Sequence, residues 1–133
     1  MKRALILMVA VLAIPQFSQA HHSTNLYVDV SKKVSVQGEF ESLKLVNPHS
    51  LLTFWAPNAK GERVLWSVET HAPGNMIRLG WRPQMFKRGE KITVIGNPSR
   101  NGSPYLNLVE VVFASDGYHL SPQKANPPRV VSN

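Results

Sequence analysis

The sequence contains no cysteine. Disulfide staples, iron–sulfur clusters and zinc–thiolate sites are therefore excluded, and a small exported chain of this kind must hold its fold by core packing alone. Acidic residues are also scarce, eight against fifteen lysines and arginines. The only aspartates are Asp29 and Asp116, and the glutamates are scattered at Glu39, Glu41, Glu62, Glu69, Glu90 and Glu110 with no spacing that marks an acid–base couple. No G-x-S-x-G nucleophile elbow is present. An enzyme is not expected. There is no internal repeat, and no apolar run reaches the roughly twenty residues needed to span a bilayer.

What the chain does have begins with a leader. MKR is followed by the apolar run ALILMVAVLAIP and the short polar stretch QFSQA, with Ser18 and Ala20 as small residues flanking a cut. This three-part layout predicts a signal peptide over residues 1–20. Cleavage after Ala20 leaves residues 21–133 as a single domain without a membrane span, most simply a periplasmic or secreted protein. Loss of Lys2 and Arg3 takes the formal charge from +7 to +5. The remaining basic residues are spread along the chain rather than clustered, so they read as a solvated surface and nucleic acid is not an expected partner. The Gly89–Gly96 segment lacks the Gly-Lys-Ser/Thr ending of a phosphate loop and leads into a strand, so it is turn chemistry.

An arm over residues 21–32 precedes an alternating pattern. Val34, Val36 and Phe40 share one face, and the apolar parity then shifts to Leu43 and Leu45. Such a shift predicts a bulge near Glu41 and Ser42, bending the strand so that it serves two sheets. SLLTFWAPNAKGERVLWSVET reads as a hairpin turning at PNAKG. The register that keeps the core side apolar pairs Leu52 with Val68 and Phe54 with Trp66, because a one-residue slip would put Glu69 on that side. Pro73, Met76, Leu79 and Gly80 predict one short helix near 74–79. A second hairpin turns at Asn101-Gly102, with Ile92 and Val94 before it and Leu106 to Phe113 after it. The order is five strands with a helix between the third and fourth. That is an all-β, OB-fold-like five-stranded barrel over residues 33–120. The polar, proline-rich stretch at 121–133 is expected to be a disordered tail.

HHS at 21–23, NPHS at 47–50, WSVE at 66–69, RLGW at 78–81 and GEKITVIGNPSRNGSP at 89–104 resemble a family of small exported bacterial proteins of unknown function. The resemblance implies a secreted small β domain and brings no activity with it.

The chemistry that remains is histidine. Cleavage after Ala20 would give His21 a free amine of pKa about 7.7–8.0 beside an imidazole of about 6.5, a bidentate nitrogen chelate near neutrality. Such donors suit copper(II), which heads the affinity order of divalent first-row metals. The hairpin register extended outward sets His49 opposite His71, on the outer face with Leu51, Trp55 and Glu69, with Cβ atoms about 4.5–5.5 Å apart. The expected metal set is therefore His21, His49 and His71, with His22 as an alternative ligand and Glu69 as an acceptor that orients one of the rings. His119, beside the tail, reads as solvated. A different class stays open: an interaction module in which the outer face bearing Leu51, Trp55 and Leu65 docks another exported protein and no metal is involved.

Overall fold

In the computed structural model of the protein, residues 26–131 are described. The leader and the expected ligands His21 and His22 lie outside them. Alternation of Val34, Val36, Gly38 and Phe40 with polar residues forms the long strand β1 (Val34–Lys44). It is followed by β2 (Leu51–Pro57), β3 (Arg63–Glu69), the helix α1 (Pro73–Arg78), β4 (Lys91–Pro98), β5 (Tyr105–Phe113) and a two-residue β6 (His119–Leu120). A single 3-10 turn, Pro83–Met85, lies between α1 and β4.

The first half of β1 pairs antiparallel with β4, from Val34↔Gly96 to Glu39↔Lys91. Its second half pairs with β2, from Glu39↔Trp55 to Lys44↔Leu51, and the register slips between Phe40 and Ser42. Glu41 is thus the extra residue of a bulge, where the parity of the sequence places it, and one bent strand serves both neighbours. The β2–β3 hairpin takes the expected register, with Leu52↔Val68 and Phe54↔Trp66. The circuit closes through β5, which pairs antiparallel with β4 and parallel with β3 at Ser67↔Tyr105, Val68↔Leu106 and Glu69↔Asn107. The result is a closed five-stranded mixed barrel with one short helix, in the strand order of an OB fold.

Inward residues from every strand fill the barrel: Phe40, Leu52, Phe54, Val68, Val94, Leu106 and Phe113 are all buried. The rings of Phe54 and Trp66 stack at 6.1 Å on the core side. Gly38 is needed where β1 bends against β2, because a Cβ there would lie 2.3 Å from the Trp55 carbonyl oxygen. Helix α1 starts at Pro73, where the missing N–H would be unpaired in any case. It presents the fully buried Met76 to one end of the barrel. Among the described residues, no helix is long and apolar enough to cross a membrane.

The described parts of both flanking segments are built into the fold. In the arm, Val28 is fully buried and bridges to Ser99, Asp29 N donates to Pro98 O at 2.9 Å, and Arg100 N donates to Tyr27 O at 2.9 Å. At the other end the structure departs from the expected disordered tail, since residues 121–131 follow a defined path back over the barrel. Asn126 hydrogen-bonds the Leu79 carbonyl at the end of α1 through both its backbone N (3.0 Å) and its Nδ2 (2.8 Å). Trp81 Nε1 donates to Ser121 O at 3.0 Å. The Arg129 side chain is only 3% exposed, held by Glu90 and Asp116. Specific hydrogen bonds help order this stretch, and composition alone does not register them.

Candidate functional site

Glu69 ends β3 at the rim of the barrel, where it pairs with Leu51 on one side and Asn107 on the other. Ladders on both sides fix its backbone. Its carboxylate divides between two partners: Oε2 accepts from the Tyr105 hydroxyl, and Oε1 meets Nδ1 of His49. Tyr105 reaches it from the first position of β5, beside Ser67 in the parallel pairing. His49 comes from the loop between β1 and β2. The corner is half open, with the His49 side chain 46% exposed and that of Glu69 34%. Partial burial pushes the Tyr105 phenol well above the ordinary tyrosine value, and its hydrogen bond to the Glu69 carboxylate adds to the shift. The hydroxyl therefore stays protonated as a donor.

The expected opposition of His49 and His71 is not part of the ladder. The last regular pair is Leu51↔Glu69; beyond it Thr70 N donates to Ser50 O at 3.0 Å, but Ser50 N reaches past Thr70 to His71 O at 2.9 Å. The His49 ring turns instead to the diagonal neighbour Glu69, so the carboxylate expected to orient a histidine does engage one. His71 is exposed at the adjacent strand end. Among the described residues, no group of three His, Asp or Glu side chains is placed to hold a metal ion. His119 pairs with Glu110 at 3.2 Å, away from this corner on the short β6.

A groove of about 450 Å³ runs from Glu69 and Tyr105 to the turn between β4 and β5, at Ser99 and Arg100. Its other wall is the arm, where Leu26 and Tyr27 are 71% and 65% exposed. The arm thus comes up beside the carboxylate that holds His49. The loops joining β1 to β2 and β4 to β5 flank the surface where OB barrels take their ligands.

The outer face of the hairpin is laid out in rows. Glu39, Trp55 and Leu65 are neighbours in one, Ser42, Thr53 and Ser67 in the next, and Lys44, Leu51 and Glu69 in the third. Leu51, Trp55 and Leu65 share that face as the alternation requires, but the hydroxyl row separates Leu51 from the other two. The Ser42 and Thr53 hydroxyls are hydrogen-bonded at 2.8 Å. Trp55 is half-buried, with the Arg63 guanidinium 4.6 Å over its ring and its Nε1 donating to Glu41 at 3.0 Å. Leu65 is 41% exposed.

Residues 8–105 match the family of unknown function DUF6152. The chain belongs to that family. No curated protein matches it. The DUF6152 segment takes in His49, Glu69, His71 and Tyr105, and ends at the first residue of β5. The strap carrying Asn126 and Arg129 lies beyond it. Within DUF6152 the residue that sequence reasoning misses is Tyr105: it meets Glu69 across 36 residues through a parallel pairing, which leaves no local pattern. The one available signal is the barrel order itself, which requires β3 and β5 to meet.

Proposed function

We propose that this protein is an exported, non-enzymatic binding or accessory protein that takes copper(II) at the mouth of its barrel. The His21 amine and imidazole would supply two nitrogen donors and the His49 imidazole a third, with the exposed His71 at the neighbouring strand end as a further donor. The observation that carries this reading is the meeting of the arm with the His49–Glu69 corner: Leu26 lines the same groove as Glu69. Five extended residues span at most about 17 Å, a length that would allow a chain beginning at His21 to reach toward the corner from Leu26. Export is read from the leader-like first twenty residues. Nitrogen donors match copper(II) better than the oxygen-preferring cations, and a carboxylate bound to a ligand histidine is a usual supporting contact.

A second reading is a docking module for another exported protein, favoured by the exposed Leu65 beside Trp55. Calorimetric titration with copper(II) separates the two. Protein starting at His21 should bind one ion, while one extra residue ahead of His21, or His49→Ala, should weaken binding strongly. Equal affinity in all three forms would overturn the copper reading and leave docking in front.

A further inference from the structure

We infer that Tyr105 and Glu69 are positioning residues that hold His49 as its Nδ1–H tautomer, so that Nε2 is the nitrogen it offers to a ligand. The inference rests on the reading of His49 as a ligand, but its geometry stands apart from any metal. An ionised carboxylate only accepts hydrogen bonds. Glu69 Oε1 faces His49 Nδ1, so the proton of a neutral ring belongs on Nδ1 and the lone pair on Nε2.

Tyr105 makes the arrangement definite. A lone carboxylate at a half-open rim could rotate about its last torsion, away from the imidazole. Here its second oxygen is occupied by the Tyr105 hydroxyl, and the phenol, kept protonated by its surroundings, can act only as a donor toward that charge. The backbone of Tyr105 is itself fixed beside Ser67, whose N–H donates to Pro104 O at 3.0 Å. The order of restraint runs from the β3–β5 ladder to Tyr105, from Tyr105 to Glu69, and from Glu69 to a histidine on a loop. The rigid partner holds the mobile one, as a preorganised site requires.

The test is long-range nitrogen–proton NMR of histidine-labelled, copper-free protein at a pH where imidazole is neutral. In the wild type the His49 signals should show a protonated Nδ1 and an unprotonated Nε2. Glu69→Leu should move His49 to the Nε2–H form that free side chains prefer, and Tyr105→Phe, which keeps the ring, should give a mixture of the two. A wild-type His49 protonated on Nε2 would overturn the inference, and so would a Tyr105→Phe spectrum superimposable on wild type at His49. Copper(II) titration of the same proteins forms a separate arm, in which Glu69→Leu should lower affinity about 10–100-fold. If the tautomer shifts as expected while wild-type protein starting at His21 binds no copper, the positioning role is upheld and the copper reading falls.

Discussion

The guanidinium carbon of Arg129 lies 3.6 Å from the centre of the Phe113 ring. Phe113 is a fully buried residue at the end of the last barrel strand, so the C-terminal strap is locked directly onto the core. The same guanidinium donates to Glu90, to Asp116 at 2.8 Å, to Ser115 Oγ at 3.0 Å and to the Met85 carbonyl. One side chain thus joins the strap to the turn before β4, the turn after β5 and the ring between them.

Removing that side chain leaves Glu90, only 9% exposed, without its counter-charge. Breaking a buried pair from one side costs about 3–5 kcal/mol, more than the pair itself contributes. Arg129→Ala should therefore lower unfolding free energy by about 3 kcal/mol in urea titration. The double variant Arg129→Met with Glu90→Gln should recover part of the loss, because no uncompensated charge remains. A loss below about 0.5 kcal/mol, the ordinary range for surface substitutions, would show that the strap is not coupled to the core.

Acid should act through the same cluster. Burial of Glu90 opposes its ionisation, but hydrogen bonds from Arg129, Ser115 and Lys87 N outweigh it and hold the carboxyl below its ordinary value. Asp116 is lowered first by the backbone N–H of Tyr118, is opposed by burial, and is lowered further by Arg129. A carboxyl with a depressed native pKa stabilises the fold at pH above the unfolded value, here 4.5 for glutamate and 3.8 for aspartate. That stability is lost as pH falls through the lower native values. Unfolding free energy should decline from about pH 5 downward, and the slope should be shallower in Arg129→Met. Parallel slopes would mean that other carboxyls govern acid stability.

How much of this was legible varies with the kind of signal. The bulge at Glu41 could be read because it shifts the parity of buried residues along one strand. The parity of the hairpin register could be read because only an even sum of opposed residue numbers keeps Leu52, Phe54, Trp66 and Val68 together away from Glu69. Both are local patterns of apolar side chains. The meeting of His49 with Glu69 rather than with His71 could not be read, since the ladder irregularity at Ser50 and His71 involves backbone groups that every residue carries. Tyr105 and Arg129 act through polar contacts made across the fold, by a parallel strand pair and by a proline-rich strap. Neither has a periodicity to find.

Two glycines in contrasting surroundings should respond oppositely. An alanine at Gly38 would put its Cβ 2.3 Å from the Trp55 carbonyl and 2.7 Å from the Phe54 ring. Backbone must move, and overpacking of this kind costs about 1–3 kcal/mol or more. At Gly74, inside α1, the same change meets nothing within 4 Å. It should raise stability by about 0.5 kcal/mol, because glycine in a helix loses more freedom on folding than alanine. Thermal melts of the two variants should shift in opposite directions. A Gly38→Ala variant as stable as wild type would show that β1 does not approach β2 this closely.

The rim tyrosine should weaken the fold in alkali. Burial and then the Glu69 carboxylate raise the Tyr105 phenol well above its ordinary value of 10.0. When pH exceeds that ordinary value, the unfolded chain ionises this phenol while the native chain keeps it neutral. The native state therefore loses stability as pH rises from about 10 toward the native value. Tyr105→Phe removes the phenol from both states, so its unfolding free energy should fall less steeply between pH 9 and about 11. Difference absorbance of tyrosinate provides the independent check: the wild type should hold back one phenol that the variant lacks, and Glu69→Leu should release it earlier. If Tyr105→Phe removes a phenol titrating at the ordinary value instead, its hydroxyl is free in solution and the link between β5 and Glu69 is not made.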